Sequence, residues 1–277
     1  VYAIVTDGDL MEGIASEAAS LAGHLRLEKL IYIYDDNRIS IDGSTDLTFT
    51  ENRAERFDAY GWHVVRDIDG NDVDAIDQAI NEAKNDVRPS LIICKTCIGY
   101  GLPTRQGTAK AHGEPPGQNK LNAAKENLGW PLEPMFYVPE DVRAHFMRKK
   151  EEGILLENSW KDMLGEYKSA HPDLGSEFER RIQGKLPKDW TKGLIEFESD
   201  LKGVATRVSS GVVLNQLAKV IPEIIGGSAD LAPSNKTWID GSPSYQMDNR
   251  GGRNFHFGVR EHAMGAIVNG MAVHGGV

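Results

Sequence analysis

Two short apolar runs with a helical stretch between them constrain the fold of this chain more than any other feature. Val1-Tyr2-Ala3-Ile4-Val5 and Leu30-Ile31-Tyr32-Ile33-Tyr34 read as strands, and Met11 to Leu25 places Ile14, Ala18, Leu21, Ala22 and Leu25 on one helical face. Strand, helix and strand in that order close as a right-handed parallel crossover. Asp7 and Asn37, which follow the two runs, then lie at the carboxyl ends of parallel strands, where open α/β sheets bind ligands. A carboxylate and an amide oxygen are hard donors. With a backbone carbonyl they offer three oxygens to a magnesium ion, leaving positions for phosphate oxygens and water. Asp-Gly turns and Asp-Asp-Asn loops are also common where nothing binds.

The α/β pattern continues to about residue 139, with further strands expected near 62–66 and 90–95. Asp72 to Lys84 reads as an amphipathic helix with Val73, Ile76, Ala79, Ile80 and Ala83 inward. Gly99 to Gly117 is a Gly/Pro-rich loop, and long loops in compact domains are often functional. Residues 140–204 are rich in charge, as in Arg148-Lys149-Lys150-Glu151-Glu152, with helical stretches and no strand pattern; they read as a solvated helical linker. A second α/β unit starts near 205. It has a helix from Val208 to Val220, a short strand at Ile224-Ile225, a strand at Phe255 to Phe257, and a helix from Glu261 to Met271 with small residues on one face.

A length of 277 residues suits about two domains. Lys+Arg 31 against Asp+Glu 41 gives 31 − 41 = −10, which disfavours non-specific nucleic-acid binding. No run of about 18 apolar residues predicts a membrane span, and no signal peptide opens the chain. Cys94 and Cys97 form a C-x-x-C pair, the spacing of a redox motif or of half a metal site. No second Cys or His pair completes a zinc site, and two residues on one strand from Leu91 to Ile98 is the preferred reading.

The motifs resemble one family. Asp7-Gly8-Asp9-Leu10-Met11-Glu12-Gly13 and Tyr34-Asp35-Asp36-Asn37-Arg38-Ile39-Ser40-Ile41-Asp42-Gly43 are similar to the thiamine diphosphate motif of transketolases. The resemblance continues through Phe57-Asp58-Ala59-Tyr60-Gly61-Trp62, Cys94-Lys95-Thr96, Ile98-Gly99-Tyr100-Gly101 and Ala111-His112-Gly113. It extends to Gly226-Gly227-Ser228-Ala229-Asp230-Leu231-Ala232-Pro233-Ser234-Asn235 and Gly258-Val259-Arg260-Glu261-His262, and so covers nearly the whole chain. It implies a parallel-sheet thiamine diphosphate-binding fold. Residues 1–139 would be most of the diphosphate-binding domain, 140–204 the linker, and 205–277 the start of the pyrimidine-binding domain. The chain opens inside a strand, and transketolases are much longer, so a middle piece is expected.

The resemblance also assigns roles. It implies a magnesium ion, with calcium or manganese able to substitute, on Asp7, Asn37 and the carbonyl of Ile39. Gly8 would let the backbone approach the diphosphate, Ile41 would wall the thiazolium pocket, and Asp230 would lie beside the thiazolium. Glu261 would share a proton with the aminopyrimidine; by itself, a Glu at a helix start is ordinary dipole compensation. Glu12, another acid at a helix start, would link the two cofactor sites of a homodimer. His112 would serve proton transfer near substrate and diphosphate, and Arg207 and Ser234 would grip a sugar phosphate. Thr6 departs from the family's glycine, and glycine there is expected to serve cofactor binding at least as well. The aromatic clamp of the family and several substrate contacts have no counterpart in the chain, so the segment alone is expected to be inactive.

The implied activity is reversible transfer of a two-carbon ketol unit from a ketose phosphate to an aldose phosphate in the cytoplasm. One alternative is a dihydroxyacetone synthase, with formaldehyde as acceptor. Another is a non-catalytic chain that binds only cofactor or a partner chain.

Overall fold

The computed structural model describes residues 1–277, which divide into two compact units. The first comprises Val1–Met135 with Gln246–Asp248, and the second Phe136–Tyr245 with Asn249–Val277.

The first unit is built on a four-stranded sheet of β1 (Tyr2–Thr6), β2 (Ile31–Asp36), β5 (His63–Asp69) and β6 (Ser90–Lys95), in the order β1-β2-β6-β5 and parallel throughout. Between β1 and β2 run α1 (Asp7–Met11) and α2 (Gly13–His24). A two-stranded hairpin of β3 (Ile39–Ser40) and β4 (Gly43–Ser44) follows β2, then α3 (Arg53–Ala59); α4 (Val73–Asn85) connects β5 to β6. Helices on both faces explain why β6 is buried over Ser90–Cys94 and apolar from Leu91 to Cys94. One face packs Leu10, Ala19, Ala22, Tyr34, Phe57, Trp62 and Leu91 together, and the other packs Ile31, Ala79, Ala83, Ile92 and Cys94. Trp62 Nε1 donates to the Ala19 carbonyl at 2.8 Å, which satisfies the indole inside that core. Gly23 lets α2 approach the following chain; a Cβ there would sit 1.8 Å from the Tyr60 carbonyl oxygen.

The sequence predicts one helix from Met11 to Leu25, whereas the chain turns helical at Asp7 and breaks at Glu12, where φ −62 and ψ 132 are extended. The first turn has little apolar periodicity to reveal it, but Asp9 Oδ2 accepts from the Thr6 amide at 2.8 Å and the Thr6 hydroxyl at 2.9 Å, tying the turn's start. The Gly99–Gly117 loop carries one short helix, α5 (Lys110–Gly113), and α6 (Gln118–Asn127) follows it. Cys94 lies on β6 and Cys97 beyond its end, so the two do not share a strand; both are free thiols.

The second unit opens with α7 (Glu140–Ala170) and α8 (Pro172–Ile182). Then come α9 (Thr206–Val220), β7 (Gly226–Ser228), α10 (Ala232–Asn235), β8 (Asn254–His256) and α11 (Glu261–His274). The strand expected at Ile224-Ile225 begins two residues later, and β7 pairs with β8 in parallel. Arg253 closes the end of α9. Its guanidinium donates to the Ala218 carbonyl at 3.0 Å, an acceptor in the last turn of the helix, and to the Ile224 carbonyl just beyond it at 2.9 Å. Buried Asn254 holds the preceding loop, accepting from the Ile239 amide at 2.8 Å and donating to the carbonyls of Ile239 and Ser242 at 3.0 and 2.8 Å.

Candidate functional site

Parallel pairing of β1 with β2 sets Thr6 opposite Asp35, so Asp7 and Asn37 each stand just past the carboxyl end of one of two adjacent strands. Asp7 is 2% exposed. Its Oδ1 accepts the hydroxyl hydrogen of Tyr34, and its Oδ2 is buried with no hydrogen-bond partner. A buried carboxylate oxygen left unpartnered is costly, and a bound cation is one remedy, beside a water or a proton. Burial foremost, and the nearby Asp36 charge, push the Asp7 carboxyl above the usual range, against the Tyr34 hydrogen bond, the Arg53 charge and the backbone N–H of Arg38. Tyr34 is wholly buried on β2, and burial and Asp7 both hold it as a neutral phenol.

Asp36, the last residue of β2, anchors this cluster. Its Oδ1 accepts from Arg53 Nη2 at 3.1 Å, lies 2.9 Å from Arg38 Nε and is 3.3 Å from the Tyr34 oxygen. Arg53 is 7% exposed, and it also donates to the Glu51 carbonyl at 3.0 Å. Asn37 Oδ1 accepts from the Ile39 amide at 3.0 Å and has a second lone pair, while its Nδ2 donates to Asp35 Oδ2 at 3.2 Å. The Asp7 carboxylate and the Asn37 amide oxygen, at adjoining strand ends, are hard oxygen donors of the kind magnesium takes. No group of three or more His, Cys, Asp or Glu side chains is arranged to hold a metal.

Thr6 has φ −119 and ψ 176, an extended conformation open to any residue, so its place before Asp7 does not require glycine. A Cβ at Gly8 would meet nothing closer than Thr6 Oγ1 at 3.9 Å; the surface there is open to an approaching group. Glu12 is exposed at the break between α1 and α2, and Ile41, 73% exposed, projects from the β3–β4 turn.

His112 is exposed on α5. Arg105 brackets that helix, donating from Nη1 to the Lys110 carbonyl at 3.2 Å and the Glu114 carbonyl at 2.8 Å, with Nη2 3.3 Å from Glu114 Oε2. In the second unit, Asp230 follows β7 in a left-handed conformation, φ 61, and lines a recess of about 300 Å³ with Ser228, Trp238, His256 and Gly258. Ser234 is exposed on α10, its hydroxyl donating to the Leu231 carbonyl at 3.0 Å; Arg207 is exposed in the first turn of α9, and Glu261 opens α11, also exposed.

Tyr34, Asp35, Asp36, Arg53, Thr96 and Arg105 carry no role in the sequence reading. The available signal was two acids ending an otherwise apolar strand, since buried carboxylates require partners.

Residues 1–187 match the family model for the transketolase thiamine diphosphate binding domain, and residues 202–277 that for the transketolase pyrimidine binding domain. Transketolase of Geobacillus stearothermophilus is 52% identical over 278 residues, covering 100% of this chain and 42% of that protein. Transketolase of Halalkalibacterium halodurans is 50% identical over 276 residues, covering 100% of this chain and 41% of the relative. A crystal structure of Pichia stipitis transketolase in complex with sedoheptulose 7-phosphate superposes with TM-score 0.95 at 44% identity, over 99% of this chain and 42% of that one. The chain thus spans about two fifths of the length of the relatives it matches.

Proposed function

The chain belongs to the transketolase family, and from that membership we propose that it binds thiamine diphosphate with magnesium and takes part in ketol transfer between sugar phosphates. The observation that carries the reading is the buried, unpartnered Asp7 Oδ2 beside Asn37 at the adjoining ends of β1 and β2. Asp7, Asn37 and the Ile39 carbonyl hold the magnesium ion, and Gly8 leaves the backbone open to the diphosphate. Ile41 provides an apolar wall, and Asp230 stands beside the thiazolium.

Thiamine diphosphate, when bound, supplies the electron sink for breaking and remaking a carbon–carbon bond. Glu261, at the start of α11, faces the aminopyrimidine nitrogen as its hydrogen-bond partner. His112 transfers a proton near the substrate, and Arg207 and Ser234 hold the sugar phosphate, Arg by its forked donors. A homodimer with Glu12 between two sites, and a cytoplasmic location, complete the proposal. The domain limits 1–139, 140–204 and 205–277 remain part of it. No helix is long and apolar enough to cross a membrane.

A chimera tests this, with the chain replacing the matching segment of the Geobacillus stearothermophilus relative. It is expected to bind thiamine diphosphate only with magnesium and to transfer a ketol unit from xylulose 5-phosphate to ribose 5-phosphate. Glu261→Gln in that chimera should keep binding and lose roughly 100- to 10,000-fold in turnover. A folded chimera that binds no thiamine diphosphate overturns the proposal.

A further inference from the structure

The Asn37 side chain is held in one orientation by two neighbours of opposite character. Its Nδ2 donates to Asp35 Oδ2 at 3.2 Å, and its Oδ1 accepts from the Ile39 amide at 3.0 Å. Turning the amide over would set its oxygen against the Asp35 carboxylate and its NH2 against the Ile39 N–H. Both contacts become repulsive, so only the observed orientation satisfies both. Asp35 is itself restrained, because Thr96, the first residue past β6, donates its hydroxyl hydrogen to Asp35 Oδ1. The relay runs from β6 through Thr96 and Asp35 to Asn37, on the opposite side of β2 from the Tyr34 contact with Asp7.

We propose that Asp35, tethered by Thr96, is a positioning residue that fixes the Asn37 amide with its oxygen presented to the metal. This rests on the reading of Asn37 as a metal ligand. A cation is repelled by an NH2 group, so a ligand amide without an orienting partner spends part of its time in a non-binding state, and affinity falls by that fraction. Partners that orient metal ligands in this way typically change affinity by 10–100-fold when removed. Asp35→Asn goes further than removal. With Oδ1 of the new amide taken by the Thr96 hydroxyl, its NH2 faces residue 37 and draws the Asn37 oxygen away from the metal.

The reciprocal exchange separates positioning from a merely structural role. In Asp35→Asn/Asn37→Asp, the residue 35 amide donates to one oxygen of the residue 37 carboxylate, and the other accepts from the Ile39 amide and keeps a lone pair for the metal whichever way the group turns. Net charge and hydrogen-bond count are preserved. The test is Mn2+ binding to the Geobacillus stearothermophilus chimera with thiamine diphosphate present, read from the electron paramagnetic resonance signal of free Mn2+. Asp35→Asn is expected to bind Mn2+ about 10–100-fold more weakly, and the double exchange to return to within about 3-fold of the parent. Parent-like affinity in Asp35→Asn, or a double exchange as weak as the single, overturns the proposal. If Asp35→Asn loses its circular dichroism signature, Thr96→Val takes its place, expected to weaken Mn2+ about 3–10-fold; an unchanged affinity there is equally fatal. Asn37→Ala is the control. Parent-like affinity in Asn37→Ala removes the metal-ligand reading itself, whereas its loss of affinity beside an unaffected Asp35→Asn removes only the positioning role.

Discussion

Tyr34, wholly buried on β2, gives its phenol hydrogen to Asp7 Oδ1 across the β1–β2 boundary, and the second Asp7 oxygen stays buried without a partner. This arrangement suits a cation better than it suits the cation-free chain. One oxygen is fixed by a neutral donor that cannot compensate a full negative charge, and the other has nothing to bind. Asp36 and Arg53 hold Tyr34 from behind, with the Arg53 guanidinium 5.9 Å from the Tyr34 ring centroid.

Asp7→Asn is therefore expected to uncouple stability from metal binding. Removing the buried charge should leave the metal-free chain at least as stable as the parent in thermal unfolding with EDTA. The parent should gain stability with magnesium and thiamine diphosphate, about 2.7 kcal/mol at one hundred times Kd, and the variant should gain none. A variant that unfolds well below the metal-free parent would show that Asp7 is structural.

Thr6→Gly probes the departure from the family's glycine. The Thr6 hydroxyl and amide both bind Asp9 Oδ2, and the backbone is extended, so glycine loses a hydrogen bond and gains unfolded-chain entropy. The variant should be destabilised by about 1 kcal/mol in urea unfolding, and its thiamine diphosphate affinity should not exceed the parent's. Tighter binding by Thr6→Gly, measured calorimetrically, would place the threonine as an impediment to the cofactor.

Arg105→Lys addresses the loop that carries His112. Arg105 Nη1 serves the Lys110 and Glu114 carbonyls while Nη2 faces the Glu114 carboxylate, and the single nitrogen of a lysine cannot stand in both places. Amide hydrogen exchange across 106–116 should accelerate by about 10-fold or more, corresponding to roughly 1.4 kcal/mol, while exchange in β6 stays unchanged. Equal protection in both proteins would mean that the loop is held by other contacts.

Acid titration should isolate a pair remote from the site. Arg88 donates to Asp86 at 2.9 and 2.8 Å and holds its carboxyl down to about 2 from an ordinary 3.8. A carboxyl lowered on folding adds stability above its unfolded value and loses it as pH falls through the folded one. Urea unfolding should thus show Asp86→Asn less stable than the parent at pH 6 by on the order of 1 kcal/mol, allowing for the solvated guanidinium. The two curves should converge between about pH 4 and pH 2. A difference that persists at the acid end would assign the effect to packing.

The sequence by itself determined the crossover at the start of the chain. Strand and helix periods differ, and the apolar runs at Val1–Val5 and Leu30–Tyr34 bracket a helical face, so parallel pairing and the strand-end positions of Asp7 and Asn37 follow from local pattern and handedness. The helix over 72–84 was legible for the same reason and forms over Val73–Asn85, although Val73, expected inward, is exposed at its first turn. Tertiary structure alone decided what each polar group at the strand ends faces. The break at Glu12 has no periodic signal, and Asp35 and Asp36 are adjacent identical residues in the sequence. The pleat of β2 turns them to opposite sides, giving Asp36 to Tyr34 and Arg53, and Asp35 to Thr96 and Asn37. Two of these partners, Arg53 and Thr96, come from α3 and from the end of β6, 17 and 61 residues further along the chain than the acids they bind. Period and propensity act over a few residues, whereas a buried carboxylate takes its partner from whatever chain the packed sheet brings within hydrogen-bond reach.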